Sequence, residues 1–261
     1  MIIDHLHDDK HSLRACNQIC RQWRPACQYH LFSRIKIVPK NFGLLLQILH
    51  FRATGVATAV QYVDIGTDNP SLRDLVICSL PILFRFPNLR SLRLKCIGSL
   101  WPLLDDPSGR NLSNLQHIEL FKVGFFDLEH FLEFIYSIPR LQSLSIPQEI
   151  YFTFYSVHPA SLARYSRPPD HPSFHFSDLD LGSDQDSGSV LSQWILSLVP
   201  TPPMNNLRLG GVNARTYNQP LLRRVGPSLE TLELTSHSNI GEGTSRSEHY
   251  KLPYRMLIPS I

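Results

Sequence analysis

A chain of 261 residues with 43% apolar and 18% charged side chains has the make-up of a folded protein with a sizeable core, which excludes a disordered one. Its formal net charge of +3 is too small to argue for a nucleic-acid or membrane surface. The five cysteines, Cys16, Cys20, Cys27, Cys78 and Cys96, are odd in number and clustered early, and Met1-Ile2-Ile3-Asp4-His5 lacks a basic stretch leading into an apolar run, so they read as reduced thiols of a cytoplasmic or nuclear protein.

The first 32 residues predict an all-helical segment. Ile2, Ile3 and Leu6 have helical spacing, and the charged turn His7-Asp8-Asp9-Lys10 follows. Ser12 is placed to cap a second helix, on which Leu13, Cys16, Ile19, Cys20 and Trp23 fall on one face. Pro25 can open a further short helix carrying Tyr29, Leu31 and Phe32.

From Phe32 onward a different pattern takes over, with apolar residues at the first, fourth and sixth positions of a six-residue stretch. Leu89-Leu92-Leu94, Leu115-Ile118-Leu120, Leu141-Leu144-Ile146 and Leu229-Leu232-Leu234 are the clear copies. Phe32-Ile35-Ile37, Val60-Val63-Ile65, Phe176-Leu179-Leu181 and Met204-Leu207-Leu209 are looser ones. The intervals between successive copies are 28, 29, 26, 26, 35, 28 and 25 residues. In each copy the fourth and sixth residues belong to the buried face of a short strand, and the residues flanking the fourth project from the other face. One strand plus one returning helix cannot cover its own apolar face, so such units must stack on their neighbours.

Helix-compatible stretches follow the strands. Asn41 can cap residues 42–49, Ser71 can cap 72–77, Asp127 starts Leu128 to Tyr136, and Ser189 or a neighbour starts Val190 to Leu196. Pro81, Pro87, Pro139 and Pro200 stand where helices must stop before the next strand. Pro81 and Arg85 also break the apolar run Leu75 to Phe86, which is too short to span a bilayer. The long interval before Phe176 contains an inserted loop near 156–172, and the polar run Ser236 to Glu248 reads as mobile. The last residues, Leu252 to Leu257, offer no clear polar cap, which predicts an array continuing beyond this end.

The periodic pattern resembles the leucine-rich repeat from Phe32 to Leu234. The order of an Ile-Ile helix, a charged turn, Leu13 to Trp23 and then His30-Leu31-Phe32-Ser33-Arg34-Ile35 resembles fungal F-box proteins of basidiomycete type, in which the box leads directly into such repeats. The resemblance implies an α/β leucine-rich-repeat solenoid, with parallel strands on one face and helices on the other, over 33–261. It implies an incomplete F-box-like cap over 1–32, because the Leu-Pro-x-Glu-Leu opening of that family is absent. It further implies a non-catalytic substrate-recognition subunit of an SCF-type ubiquitin ligase. Its cap would dock a Skp-type adaptor through Ile2, Ile3, Leu6, Leu13, Cys16, Ile19 and Trp23, some of which must form the cap's own core. The repeats would hold a substrate protein. The alternative is a leucine-rich-repeat scaffold with no ligase role, its helical segment serving only to seal the first repeat.

The ninth position of the repeat, often Asn or Cys in the family, holds Ile97, Val123 and Val212 in three copies and Glu149 or Asp184 in others. The side-chain ladder is therefore expected to be missing and the turns irregular.

Within this frame the partner-binding candidates are the polar residues beside each fourth position: Arg34, Tyr62, Asp64, Arg93, His117, Glu119, Asp178, Asp180, Arg208 and Glu233. Their charge changes sign along the series, which suits a protein partner better than a nucleic-acid groove. Other constellations fall short of a site. Cys16, Cys20, Cys27 and His30 lack the compact pair that tetrahedral zinc ligation needs. Asp178, Asp180, Asp184 and Asp186 resemble a calcium loop, but Gly182 occupies the fifth ligand position and Ser189 stands where a bidentate Glu is required. His5, His7 and His11 beside Asp8 and Asp9 read as exposed turn residues, and Tyr151 to Tyr155 as an aromatic cluster packed beneath the inserted loop. No nucleophile elbow, phosphate loop, dinucleotide fingerprint or His-Glu-x-x-His is present, so no catalytic residue, metal or cofactor is assigned.

Overall fold

The computed structural model describes residues 5–6, 8–50, 55–67, 69, 77, 80–98, 100, 112–147, 150–152, 176–182, 185–198, 203–210, 219–236 and 246–251. The helix expected after Ser71 and the loop near 156–172 lie outside them, as do Ile2, Ile3, Cys78, Glu149, Asp184, Val212 and the end segment 252–257, apart from the single residue Ile77.

The fold is mixed α/β. Two helices come first, α1 (Lys10–Ile19) and α2 (Arg24–Phe32). They are followed by β1 (Arg34–Ile37), α3 (Pro39–His50), α4 (Val56–Ala59), β2 (Tyr62–Gly66), a 3-10 segment (Leu80–Arg85), β3 (Ser91–Lys95), β4 (His117–Phe121), β5 (Val123–Phe125) and α5 (Leu128–Tyr136). The chain continues through β6 (Ser143–Ile146), β7 (Ile150–Phe152), β8 (Asp178–Leu181), α6 (Gln185–Ser197), β9 (Asn206–Gly210), α7 (Gln219–Val225), a second 3-10 turn (Gly226–Ser228), β10 (Thr231–Ser236) and β11 (Arg246–Lys251).

Eight strands form one parallel sheet in chain order, β1-β2-β3-β4-β6-β8-β9-β10, and β11 pairs antiparallel to β10 at the edge. The register aligns every copy of the pattern. Ile35, Val63, Leu92, Ile118, Leu144, Leu179, Leu207 and Leu232 are partners from strand to strand. Period-2 alternation then fixes the faces, because a slip of one residue would turn every apolar side chain outward. Strand entries are stapled alike: the Ser33 carbonyl accepts from the amides of Gln61 and Tyr62, Gln61 from Arg90 and Ser91, Arg90 from Gln116 and His117, and Gln116 from Gln142 and Ser143.

The main core lies beneath the sheet's apolar face. Trp194 of α6 is fully buried and meets Phe131, Tyr136 and Phe176 edge to face, at centroid distances of 5.9, 6.4 and 6.2 Å. Its indole Nε1 donates to the Tyr136 hydroxyl at 3.3 Å.

A second, much smaller cluster holds α1 to α2. Leu13 and Cys27 are fully buried there, with Leu6, Cys16, Ala26 and Leu31 packed against them.

Local signals are corrected in several places. The N-cap of α1 is Asp9, whose carboxylate accepts from the amides of His11 and Ser12, rather than Ser12, whose hydroxyl donates to the same carboxylate at 2.5 Å. That helix ends at Ile19, so Trp23 is not on it but is the N-cap residue of α2, which carries Pro25 in its first turn. The α3 helix starts at Pro39, and Asn41 sits inside its first turn, donating to the Lys36 carbonyl and accepting from the Val38 amide. The α6 helix begins at Gln185, before Ser189. Pro81 is inside the 3-10 segment rather than after a helix. Asp127 caps α5 as its sequence predicts, accepting from the His130 amide at 2.9 Å. The run Ser236 to Glu248 is bounded by strands, since Ser236 closes β10 and Arg246 to Glu248 open β11.

Two adjacent turns are alike, although the ninth position predicts irregular ones. Ile97 and Val123 are buried, and the preceding residues Cys96 and Lys122 both take a left-handed φ, 54° and 53°. Adjacent turns are joined by backbone bonds, from the Gly124 amide to the Ile97 carbonyl and from the Cys96 amide to the Phe121 carbonyl, both 2.8 Å. Side chains link neighbouring units elsewhere, through the residue before three consecutive copies. Asn88 donates to the Thr58 carbonyl, Asn114 to the Pro87 carbonyl, and Arg140 to the Asn114 side chain.

Candidate functional site

Because the fourth and sixth residues of each strand face the core, the third, fifth and seventh face the other way. The register therefore gathers the candidate residues into two rows. Arg34, Tyr62, Ser91, His117, Ser143, Asp178, Asn206 and Thr231 form one, and Lys36, Asp64, Arg93, Glu119, Ser145, Asp180, Arg208 and Glu233 the other. All ten partner-binding candidates stand on this one polar face.

In the second row an acid–arginine–acid triplet occurs twice, each time across three adjacent strands. In the first triplet Arg93 lies between Asp64 and Glu119, and its Nη2 is 2.9 Å from Glu119 Oε1. Burial works against the Arg93 charge, but Glu119 and Asp64 outweigh it and hold the guanidinium protonated more firmly than usual. Tyr62 beside them is pushed up, first by burial and then by the Asp64 carboxylate.

The second triplet is tighter. Arg208 donates from Nε to Glu233 Oε2 at 2.7 Å, its Nη2 is 2.5 Å from the same oxygen, and its Nη1 is 3.6 Å from Asp180 Oδ2. The Asp180 side chain is only 17% exposed. The Ser145 hydroxyl donates to its Oδ2 at 2.9 Å, while its Oδ1 is buried without a donor. Burial raises the Asp180 carboxyl above the ordinary range, against the opposing pull of Ser145 and Arg208. Asp178 next to it accepts from Asn206 and from the Ser177 hydroxyl. A cleft of about 280 Å³ opens over this group, between β6 and β10.

At the other end of the face a larger cleft, about 570 Å³, lies where the helix pair meets the first strands. Lys10, Arg34, Arg90, His30 and His117 line it together with Tyr29 and Tyr62, and among the described residues Asp8 is the one carboxylate in the lining. The Gln61 side-chain Nε2 donates to the Tyr29 hydroxyl across its wall. Beyond it, Lys95 lies over the Phe121 ring at 5.4 Å, a cation–π contact between seventh positions of neighbouring strands. This cleft was not readable in the sequence, because it forms only where two elements distant in character are packed together.

The helix pair sorts its own candidates by burial. Leu13 is fully buried and offers no surface to a partner, and Leu6 and Cys16 pack against it. Ile19 is 75% and Trp23 38% exposed, large apolar groups left in contact with solvent. Ile2 and Ile3 lie outside the described residues.

Among the described residues no group of three or more His, Cys, Asp or Glu is placed to hold a metal ion. Cys27 packs against Leu13, and burial pushes its thiol up. Asp178 and Asp180 are strand residues, and Gly182 has a structural reason: a Cβ there would sit 2.3 Å from the Pro147 backbone. In the aromatic stretch Phe152 is buried and meets Phe131 edge to face, whereas Tyr151 is exposed. No described helix is long and apolar enough to cross a membrane.

Comparison with known protein families and with curated proteins matched none of them to this chain.

Proposed function

We propose that this chain is a non-catalytic interaction protein of the fungal F-box and leucine-rich-repeat kind. Its parallel strands and helices form a solenoid, and its amino-terminal helix pair acts as an F-box-like cap. In this reading it serves in the cytoplasm or nucleus as a substrate receptor of an SCF-type ubiquitin ligase. The helix pair docks a Skp-type adaptor, and the polar face of the sheet holds a substrate protein. The observation that carries the reading is the strand-to-strand alignment of eight pattern copies, which leaves one continuous mixed-charge face beside helices bearing exposed Ile19 and Trp23. Exposed apolar groups of that size on a small helical element are what a docking partner covers.

The test is co-purification of this chain with a Skp-type adaptor. The wild-type chain retains the adaptor, and Ile19→Asp combined with Trp23→Ala loses it while the sheet stays folded. Failure of the wild-type chain to retain it would end the ligase reading.

One observation favours the alternative of a scaffold without a ligase role. The α2 helix packs against α4 and β1, as a lid over the first strand would. The same experiment separates the two, because a lid needs no adaptor.

A further inference from the structure

Building on the reading of the polar face as a partner-binding surface, we propose that it selects a protein segment by the order of its charges. Carboxylates of the segment sit beside the helix pair, and its lysines or arginines sit over β8–β10.

The cations of the face differ in what engages them. Arg93 and Arg208 are each held by a carboxylate of the face itself, at 2.9 and 2.5 Å. Lys10, Arg34 and Arg90, which edge the larger cleft, make no ion pair or side-chain hydrogen bond among the described residues. A guanidinium already bonded to a fixed carboxylate has part of its charge and fork engaged, although Arg93 Nε stays without a partner, whereas an unpaired guanidinium offers its full fork of donors.

At the far end the sign reverses. Among the described residues lining the smaller cleft, three carboxylates, Asp178, Asp180 and Glu233, accompany one guanidinium, Arg208, and Asp180 Oδ1 is buried with no donor. A buried acceptor without a partner is destabilising until something supplies the hydrogen bond, and an ammonium or guanidinium from a bound segment would do so.

Seven strand steps separate β1 from β10, about 34 Å at ~4.8 Å per step. That is several times the ~8 Å screening length at physiological salt, so the two ends attract independently. A uniformly acidic or basic segment is repelled at one end, and only a segment with its charges in two blocks is attracted at both.

The experiment uses the full chain and two labelled peptides of about twelve residues, long enough when extended to cover that distance. Both contain equal numbers of glutamate and lysine. One has them in two blocks separated by serine and glycine, and the other alternates them. Fluorescence anisotropy should show the block peptide binding about tenfold or more tightly than its alternating isomer, with a margin that shrinks as salt is added. Arg34→Glu combined with Arg90→Glu, both exposed positions, should remove that preference and create one for an all-lysine peptide. Equal binding of block and alternating peptides would overturn the proposal, as would binding of neither. Adaptor co-purification on the same preparation keeps the readings apart. A chain that retains the adaptor but ignores peptide charge order loses this inference alone, and one that reads charge order without the adaptor loses the ligase role alone.

Discussion

The helix pair and the strand stack solve the same problem of covering apolar surface with very different means. In the stack, each strand from β2 to β9 of the parallel sheet buries two residues that align with those of its neighbours, and helices such as α5 and α6 close the far side with Phe131, Ile135, Trp194 and Ile195. The pair has only Leu13 and Cys27 fully buried, with four partly covered neighbours. A core that small does not hold a segment folded by itself. The pair therefore depends on the contacts of α2 with α4 and β1. Order passes from the sheet to the helices, and the helices can leave Ile19 and Trp23 exposed because they do not rely on them for a core.

The largest effect is expected in the stack. Trp194→Ala removes the ring that Phe131, Tyr136 and Phe176 surround, and should cost about 3–5 kcal/mol, read from the denaturation midpoint. If the pair depends on the sheet, amide protection in α1 and α2 falls with it. Retention of that protection in a destabilised stack would show an autonomous pair.

Leu13→Ala is the converse and should cost about 2–5 kcal/mol, confined to the pair. Hydrogen exchange should then speed up in α1 and α2 while β3 and β4 keep their protection. A uniform loss across both regions would mean that they unfold as one unit.

The smallest effect is in pH dependence, and here the two regions have opposite signs. Asp9 is held below its ordinary carboxyl range, first by the Ser12 hydroxyl and then by backbone amides. Its capping contribution is present above the unfolded carboxyl pKa and is lost as pH falls through the folded one. Asp180 is raised by burial, so its contribution is present below the unfolded pKa and is lost as pH rises through the folded one. Mild acidification from neutrality should thus strengthen the stack at Asp180, and stronger acid should loosen α1. Asp180→Asn should abolish the first effect in thermal scans against pH. Parallel weakening of both regions throughout the titration would refute the assignment.

Much of the fold and of the candidate face was legible in the residues because strand alternation has a strict period. Once Leu92, Ile118 and Leu144 are assigned inward, Arg93 and Glu119 must point outward, and equal copies align. Helix starts were less legible. Asp9, Ser12, Asn41 and Ser189 can all satisfy an amide, and which of them does so depends on where the chain enters the helix. Helical spacing places Trp23 on the preceding helix, because the spacing of that face continues past the real end at Ile19. The ninth position carries no polar ladder at Ile97 or Val123, whereas Asn88 and Asn114 bond across units just before the first position.

The residues alone set the period, and with it which side chains of each pattern copy face inward and which outward, since both follow from local alternation and from the need of each copy to stack. The remainder came from packing. The antiparallel direction of β11, the burial of Leu13 rather than Ile19, and the cleft that brings Lys10 and Tyr29 of the helices to Arg34 and Arg90 of the strands all depend on how separate elements meet. Contacts between elements are set by packing across distances that no local pattern encodes.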